Sequence, residues 1–174
     1  VTATPLARTR QILDKARWAT LATVSASGEP WSSVVHYVWL PDPLRLLFTS
    51  ADDARHSKDI AGNAQVGGSL CCTGVDTGIA IGDVDGAQFT GHCAEVAAEE
   101  LVQYHALFFG TLFPDPSVRA QWALPPESFR APESHRLYLI TVGEWWIIDF
   151  SRWAADKIDR RMRVAPEVLA RLGP

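Results

Sequence analysis

The 174 residues suffice for one hydrophobic core, and an apolar fraction of 47% beside a charged fraction of 21% excludes wholesale disorder. A formal net charge of −4 leaves too little basic surface for general nucleic-acid binding, so any phosphate the chain holds should be local and small. No apolar run reaches the length of a membrane span, and charges interrupt the opening VTATPLARTRQILDKARW where a signal peptide needs its apolar core, so a soluble cytoplasmic protein is expected.

Taken in order, Thr4 can cap a helix with Pro5 at its first position, and Leu6, Ile12, Leu13 and Ala16 follow at roughly helical spacing. Trp18 to Val24, WATLATV, is rich in strand formers, and Ser25 to Pro30 supplies a turn into a second strand, Trp31 to Leu40. Alternation there puts Trp31, Ser33, Val35 and Tyr37 on one face and Ser32, Val34, His36 and Val38 on the other. Both faces carry large groups, which predicts a central strand covered on both sides.

After Pro41-Asp42-Pro43 comes an apolar run, Leu44 to Phe48, that passes through Thr49 and Ser50 into an acidic turn. A short helix is expected over Ala54 to Ile60, with Arg55, His56 and Lys58 in its first turns, stopped by Gly62-Asn63 before a strand from Gln65 to Cys72. Hydroxyls and cations thus gather at one strand-to-helix junction. Such a junction can hold an anion through free N–H groups and charge-assisted bonds, or it can be a solvated helix whose basic residues offset Asp52, Asp53 and Asp59.

The segment TGVDTGIAIGDVDG matches neither a calcium loop nor a dinucleotide loop and predicts hairpin turns around a short strand at Ile79 to Ile81. Gln88 to Val96 resumes strand character, with Gly91 marking a bulge or a close backbone approach. A helix is expected from Ala97 to about Phe109, with Leu101, Tyr104, His105 and Phe108 on one side and Glu99 and Glu100 in its first turn. A further short helix fits Ser117 to Leu124. Two strands, His135 to Thr141 and Glu144 to Asp149, should turn at Val142-Gly143, and the tail from Ser151 carries only a weak pattern.

Cys71, Cys72 and Cys93 cannot all pair within one chain, so buried free thiols are expected, and no CxxC or HxxxH spacing supports zinc. Seven tryptophans point first to core or interface filling. Six to seven antiparallel strands at short spacing, with few intervening helices, predict one mainly β domain closed or nearly closed into a barrel with flanking helices.

Four stretches in this order, ATLATVSASGEPWSSVVHY, LLFTSADDARHSKDI, NAQVGGSL and QFTGHCAEV, resemble the pyridoxamine 5′-phosphate oxidase-like family of FMN-binding split β-barrels, with a weaker echo at LYLITVGEWWIID. The resemblance implies FMN as cofactor, its phosphate gripped by Arg55 and His56 with Ser50 just upstream and Lys58 compensating, and its ring against Ser33, Val34, Val35 and His36. It also implies a homodimer with cofactor at the interface, to which Gln88 of the neighbouring subunit would contribute, and a flavin-dependent oxidoreductase acting on a small-molecule substrate. Two departures stand out. Ala54-Arg55-His56 replaces the family's Ser-Arg-Lys, losing a hydroxyl and a permanent charge, which should weaken phosphate binding unless Lys58 or a protonated His56 compensates, and the C-terminal Arg-Leu-His signature of vitamin B6 recognition is missing. The alternatives are a flavin- or haem-binding module without turnover, and a deazaflavin (F420)-dependent reductase. The residues point to no obligatory general acid or base; His36 is the foremost candidate, and a structural histidine is the reading preferred for it.

Overall fold

Thr4 and Pro5 begin the first helix as their chemistry requires: the Thr4 hydroxyl accepts from the Ala7 N–H at 3.2 Å, and Pro5 occupies a position whose N–H would go unused. That helix, α1, spans Pro5–Lys15 and turns Ile12 and Leu13 into the core. The structure, a computed structural model, describes residues 3–74 and 83–173. The strand expected at Ile79 to Ile81 lies outside the described residues.

The remaining elements are β1 (Trp18–Val24), β2 (Pro30–Leu40), β3 (Arg45–Ala51), α2 (Arg55–Gly62), β4 (Gln65–Thr73), β5 (Val84–Glu95), α3 (Leu101–Leu112) and α4 (Pro116–Trp122). A 3₁₀ turn (Pro126–Phe129), β6 (His135–Ile148), α5 (Trp153–Asp156), β7 (Arg161–Arg163) and α6 (Pro166–Leu169) complete the chain. The sheet runs β3-β2-β1-β4-β5-β6-β7, and β6 also pairs with β3. That second pairing closes six antiparallel strands into a barrel and leaves β7 as an extra strand on the far end of β6. The mainly β barrel with flanking helices is therefore the one the sequence predicts.

Period-two alternation builds its interior from Ala19, Leu21, Val35, Tyr37, Phe48, Phe89, Ile140 and Trp145, among others. Gly68 is needed there, because a Cβ on it would fall 2.4 Å from the Phe89 ring and 2.5 Å from the Thr20 carbonyl. Helix α1 covers one end of the barrel, and α2 covers the other by sending Ile60 into the same core. A second cluster lies outside the barrel wall, where Leu101, Tyr104 and Phe108 of α3 pack on Val38, Leu47 and Leu137.

Several expectations need correction. β2 is central, but only its far end is covered on both faces: α3 packs over Val38 and Leu40, whereas Val34 stays 68% exposed. The two strands expected around Val142-Gly143 are one continuous strand. The residue that should have turned the chain is absorbed as a bulge, since Thr90 faces Glu144 while Gly91 faces Val142. Gly91 is the close approach that permits this, its Cβ position lying 2.5 Å from the Thr141 carbonyl. Helix α3 starts at Leu101 because Ala97 to Glu100 close a turn of their own, so Glu99 and Glu100 precede it. Cys72 and Cys93 are buried free thiols, but Cys71, on the opposite face of β4, is exposed.

Candidate functional site

The strand β3 delivers Ser50 to the barrel end that α2 covers, and the neighbouring strand β2 delivers Ser33 beside it. Residues on these inward positions would normally be apolar, so two hydroxyls at the mouth call for a partner. His56, in the first turn of α2, supplies it. Its Nδ1 lies 3.0 Å from the Ser33 hydroxyl and its Nε2 2.7 Å from the Ser50 hydroxyl. Burial holds this imidazole below its ordinary pKa of 6.5, and the nearby Asp59 only partly opposes the shift. The neutral ring therefore bridges the two serines, donating to one and accepting from the other.

Arg55 lies next to this trio but turns away from it. Its Nε donates to Asp59 Oδ1 at 3.2 Å, its Nη2 to Glu29 Oε2 at 3.4 Å, and its guanidinium sits 5.5 Å from the centre of the Trp31 ring. Asp59 is buried and its other oxygen accepts from the Thr23 hydroxyl at 2.8 Å, so the carboxylate fixes α2 to β1 and aims the arginine. The Arg55 side chain is 39% exposed, and Lys58 is exposed one turn further on.

Gln88 aside, the expected site residues thus divide into three groups. Ser33, Ser50 and His56 converge, Arg55 and Lys58 border them, and Val34, Val35 and His36 continue along β2 with Val35 inside the barrel and the other two outside. His36 stacks on Trp18 of β1 with ring centres 4.7 Å apart. Burial, reinforced by the Arg17 guanidinium, lowers the pKa of His36 too. Gln88 stands apart. The register places it in one outward row with Ser69, Thr20 and Val34, three strands from β2, so roughly 14 Å separates it from Val34 in the same chain.

Sequence reasoning missed Trp31, Glu29 and the Thr23–Asp59 pair. The i, i+4 spacing of Arg55 and Asp59 was a readable signal; the contacts of Thr23 and Glu29 with α2 depend on barrel closure and were not. A cleft of about 580 Å³ opens elsewhere on β2, between α1 and α3, and reaches the trio's strand at His36. That cleft has room for a small organic ligand. The trio carries more chemistry, because its polar groups converge from three elements.

Phosphate fits the corner on chemical grounds. Two hydroxyls, an imidazole, an exposed guanidinium and the uncapped start of α2 are all donors a phosphate monoester can use. Among the described residues the buried polar atoms without a partner are Thr9 Oγ1, Arg45 Nε and Trp145 Nε1, none of them in this corner. A ligand here would exchange existing bonds, and the easiest to give up is the long, exposed Arg55–Glu29 pair, worth about 1 kcal/mol or less.

The family profile described as pyridoxamine 5′-phosphate oxidase matches residues 6–148. No curated protein sequence matches the chain. Among solved structures, a heme binding protein from Mycobacterium smegmatis superposes with a TM-score of 0.67 at 16% identity, covering 98% of this chain and 61% of that one. The chain therefore spans about three fifths of the mycobacterial protein's length. A FAD-binding protein from Mesorhizobium loti gives 0.57 at 18% identity over 83% of this chain and 94% of that one. The heme storage protein HutZ from Vibrio cholerae gives 0.55 at 19% identity over 77% and 87%. At these identities the likeness is one of fold.

Proposed function

The chain belongs to the pyridoxamine 5′-phosphate oxidase family, and from that premise we propose that it binds FMN where β2, β3 and the start of α2 meet and serves as a flavin-dependent oxidoreductase for a small molecule. The observation that carries this reading is the convergence of Ser33, Ser50 and His56, with Arg55 beside them, at the corner where a phosphate would dock. In the bound state Arg55 would exchange Glu29 for a phosphate oxygen while Asp59 keeps its guanidinium in place. Ser33 and Ser50 would turn their hydroxyls from His56 to the same oxygens. The outer face of β2 at Val34 and His36 would support the ring through backbone groups and an apolar floor. A flavin, when bound, supplies hydride chemistry at its N5, and the protein's part is to orient it and exclude water.

A second copy of the chain completes this site in our reading. The outward face of β1, β2, β4 and β5 leaves Trp18, Val24, Val34 and Val84 exposed, and Gln88 lies in the same outward row as Val34. Two such faces packed about a two-fold axis would bring the partner's Gln88 over the first copy's β2, a reach no single chain provides.

A flavin- or haem-holding module without turnover is the second reading. It is favoured by His36, an imidazole kept neutral by burial and therefore able to lend a lone pair, and by structural neighbours named for heme binding. The deazaflavin alternative is less well served, because Arg55 already faces two carboxylates, Glu29 and Asp59, which narrows the basic surface a larger anionic cofactor would need. The test is the absorbance spectrum of the purified protein together with quenching of FMN fluorescence at micromolar concentration. A flavin spectrum or saturable quenching is expected; a colourless protein that leaves FMN fluorescence untouched contradicts the proposal.

A further inference from the structure

The cleft of about 580 Å³ takes no part in the phosphate corner, yet it starts at His36, where the proposed ring would end. Its walls are mostly apolar. Val38 of β2 and Leu107, Leu112 and Pro114 at the end of α3 face across it, and its volume is that of a site for a small organic molecule. Charge enters at the rim. Among the described residues Arg17 has no carboxylate within ion-pair distance, and it neighbours the imidazole of His36. The one carboxylate on the lining, Asp14, is turned to Trp39, whose Nε1 donates to Oδ1 at 3.0 Å.

We infer that this cleft binds organic monoanions with an apolar body, the body between β2 and the end of α3 and the carboxylate on Arg17. A neutral ligand would leave the guanidinium unused, and a second negative charge would meet Asp14. As a substrate pocket the cleft rests on the flavin reading, because its open end adjoins the ring position on β2. As a binding site it stands on its own lining.

Calorimetric titration of the full chain with 2-naphthoate and with its neutral counterpart 2-naphthalenemethanol tests the inference. The carboxylate should bind roughly tenfold more tightly than the alcohol, the ratio expected of one charge-assisted contact. Arg17→Ala, at an exposed position, should bring the two ligands to similar affinity, and Arg17→Glu should reverse the preference. Thr111→Trp, placing a large ring into the cleft from an exposed position, should block both. Arg55→Ala should leave naphthoate binding unchanged, so loss of the FMN corner and loss of the cleft give different results. Failure of naphthoate to bind, equal affinities in the wild type, or binding that survives Thr111→Trp would overturn the inference.

Discussion

His56 shows what the sequence could and could not disclose at the scale of one residue. A histidine after the arginine was legible as a departure from a more basic pattern, with Lys58 or a protonated ring as the expected compensation. The structure instead gives it two serine partners and a half-buried setting that favours the neutral form. Its folded pKa is depressed, so the unfolded chain takes up a proton first as the pH falls. The stability the neutral ring contributes is present above 6.5 and is lost as the pH drops through the folded value. His36, also depressed, acts in the same direction. Thermal melting followed from roughly pH 7 to pH 5 should therefore show a falling Tm, with a shallower slope in His56→Gln. Parallel slopes in the two proteins would remove His56 from this role.

At the scale of elements, one buried link is announced by no pattern in the sequence. Arg8 of α1 donates through Nε and Nη2 to both oxygens of Asp85 on β5, each at 2.8 Å, and both side chains are almost fully buried with Phe150 against the guanidinium. The pair is separated by 77 residues, so periodicity within either element carries no trace of it. Breaking such a pair leaves a buried charge unmatched. Asp85→Asn should cost about 3–5 kcal/mol, read as a lower urea midpoint at unchanged slope, while Arg8→Met with Asp85→Leu should recover most of the loss. A single variant as stable as the wild type would mean that water reaches the pair. β6 teaches the converse lesson. Glycine after valine reads as a turn when only local preference is weighed, but pairing with β5 on one side, β3 along the first half and β7 at the end holds the chain extended and reduces Gly143 to a bulge.

For the molecule as a whole, the barrel was readable because strand alternation and short turns are local properties, and closure follows once β3 and β6 meet. Coverage was not readable. The large residues on the outer face of β2 resembled a second core, but α3 reaches only Val38 and Leu40, and Val34 and Trp18 remain in the open. That exposed face is what the proposed dimer would bury. Val34→Asp alters a side chain that is already exposed in the single chain, so the fold should persist while sedimentation shifts from dimer to monomer. A wild-type monomer, or an aspartate variant that still dimerises, would leave the open face without the role given to it.

The phosphate corner is the claim on which the functional reading turns, and comparing FMN with riboflavin isolates it, since the two differ only by the phosphate. Equilibrium titration should find FMN bound more tightly than riboflavin, with Arg55→Ala losing about 1.5–3 kcal/mol of FMN affinity and almost none of riboflavin affinity. Equal affinities for the two flavins in the wild type, or an Arg55→Ala protein that holds FMN as firmly as before, would contradict it.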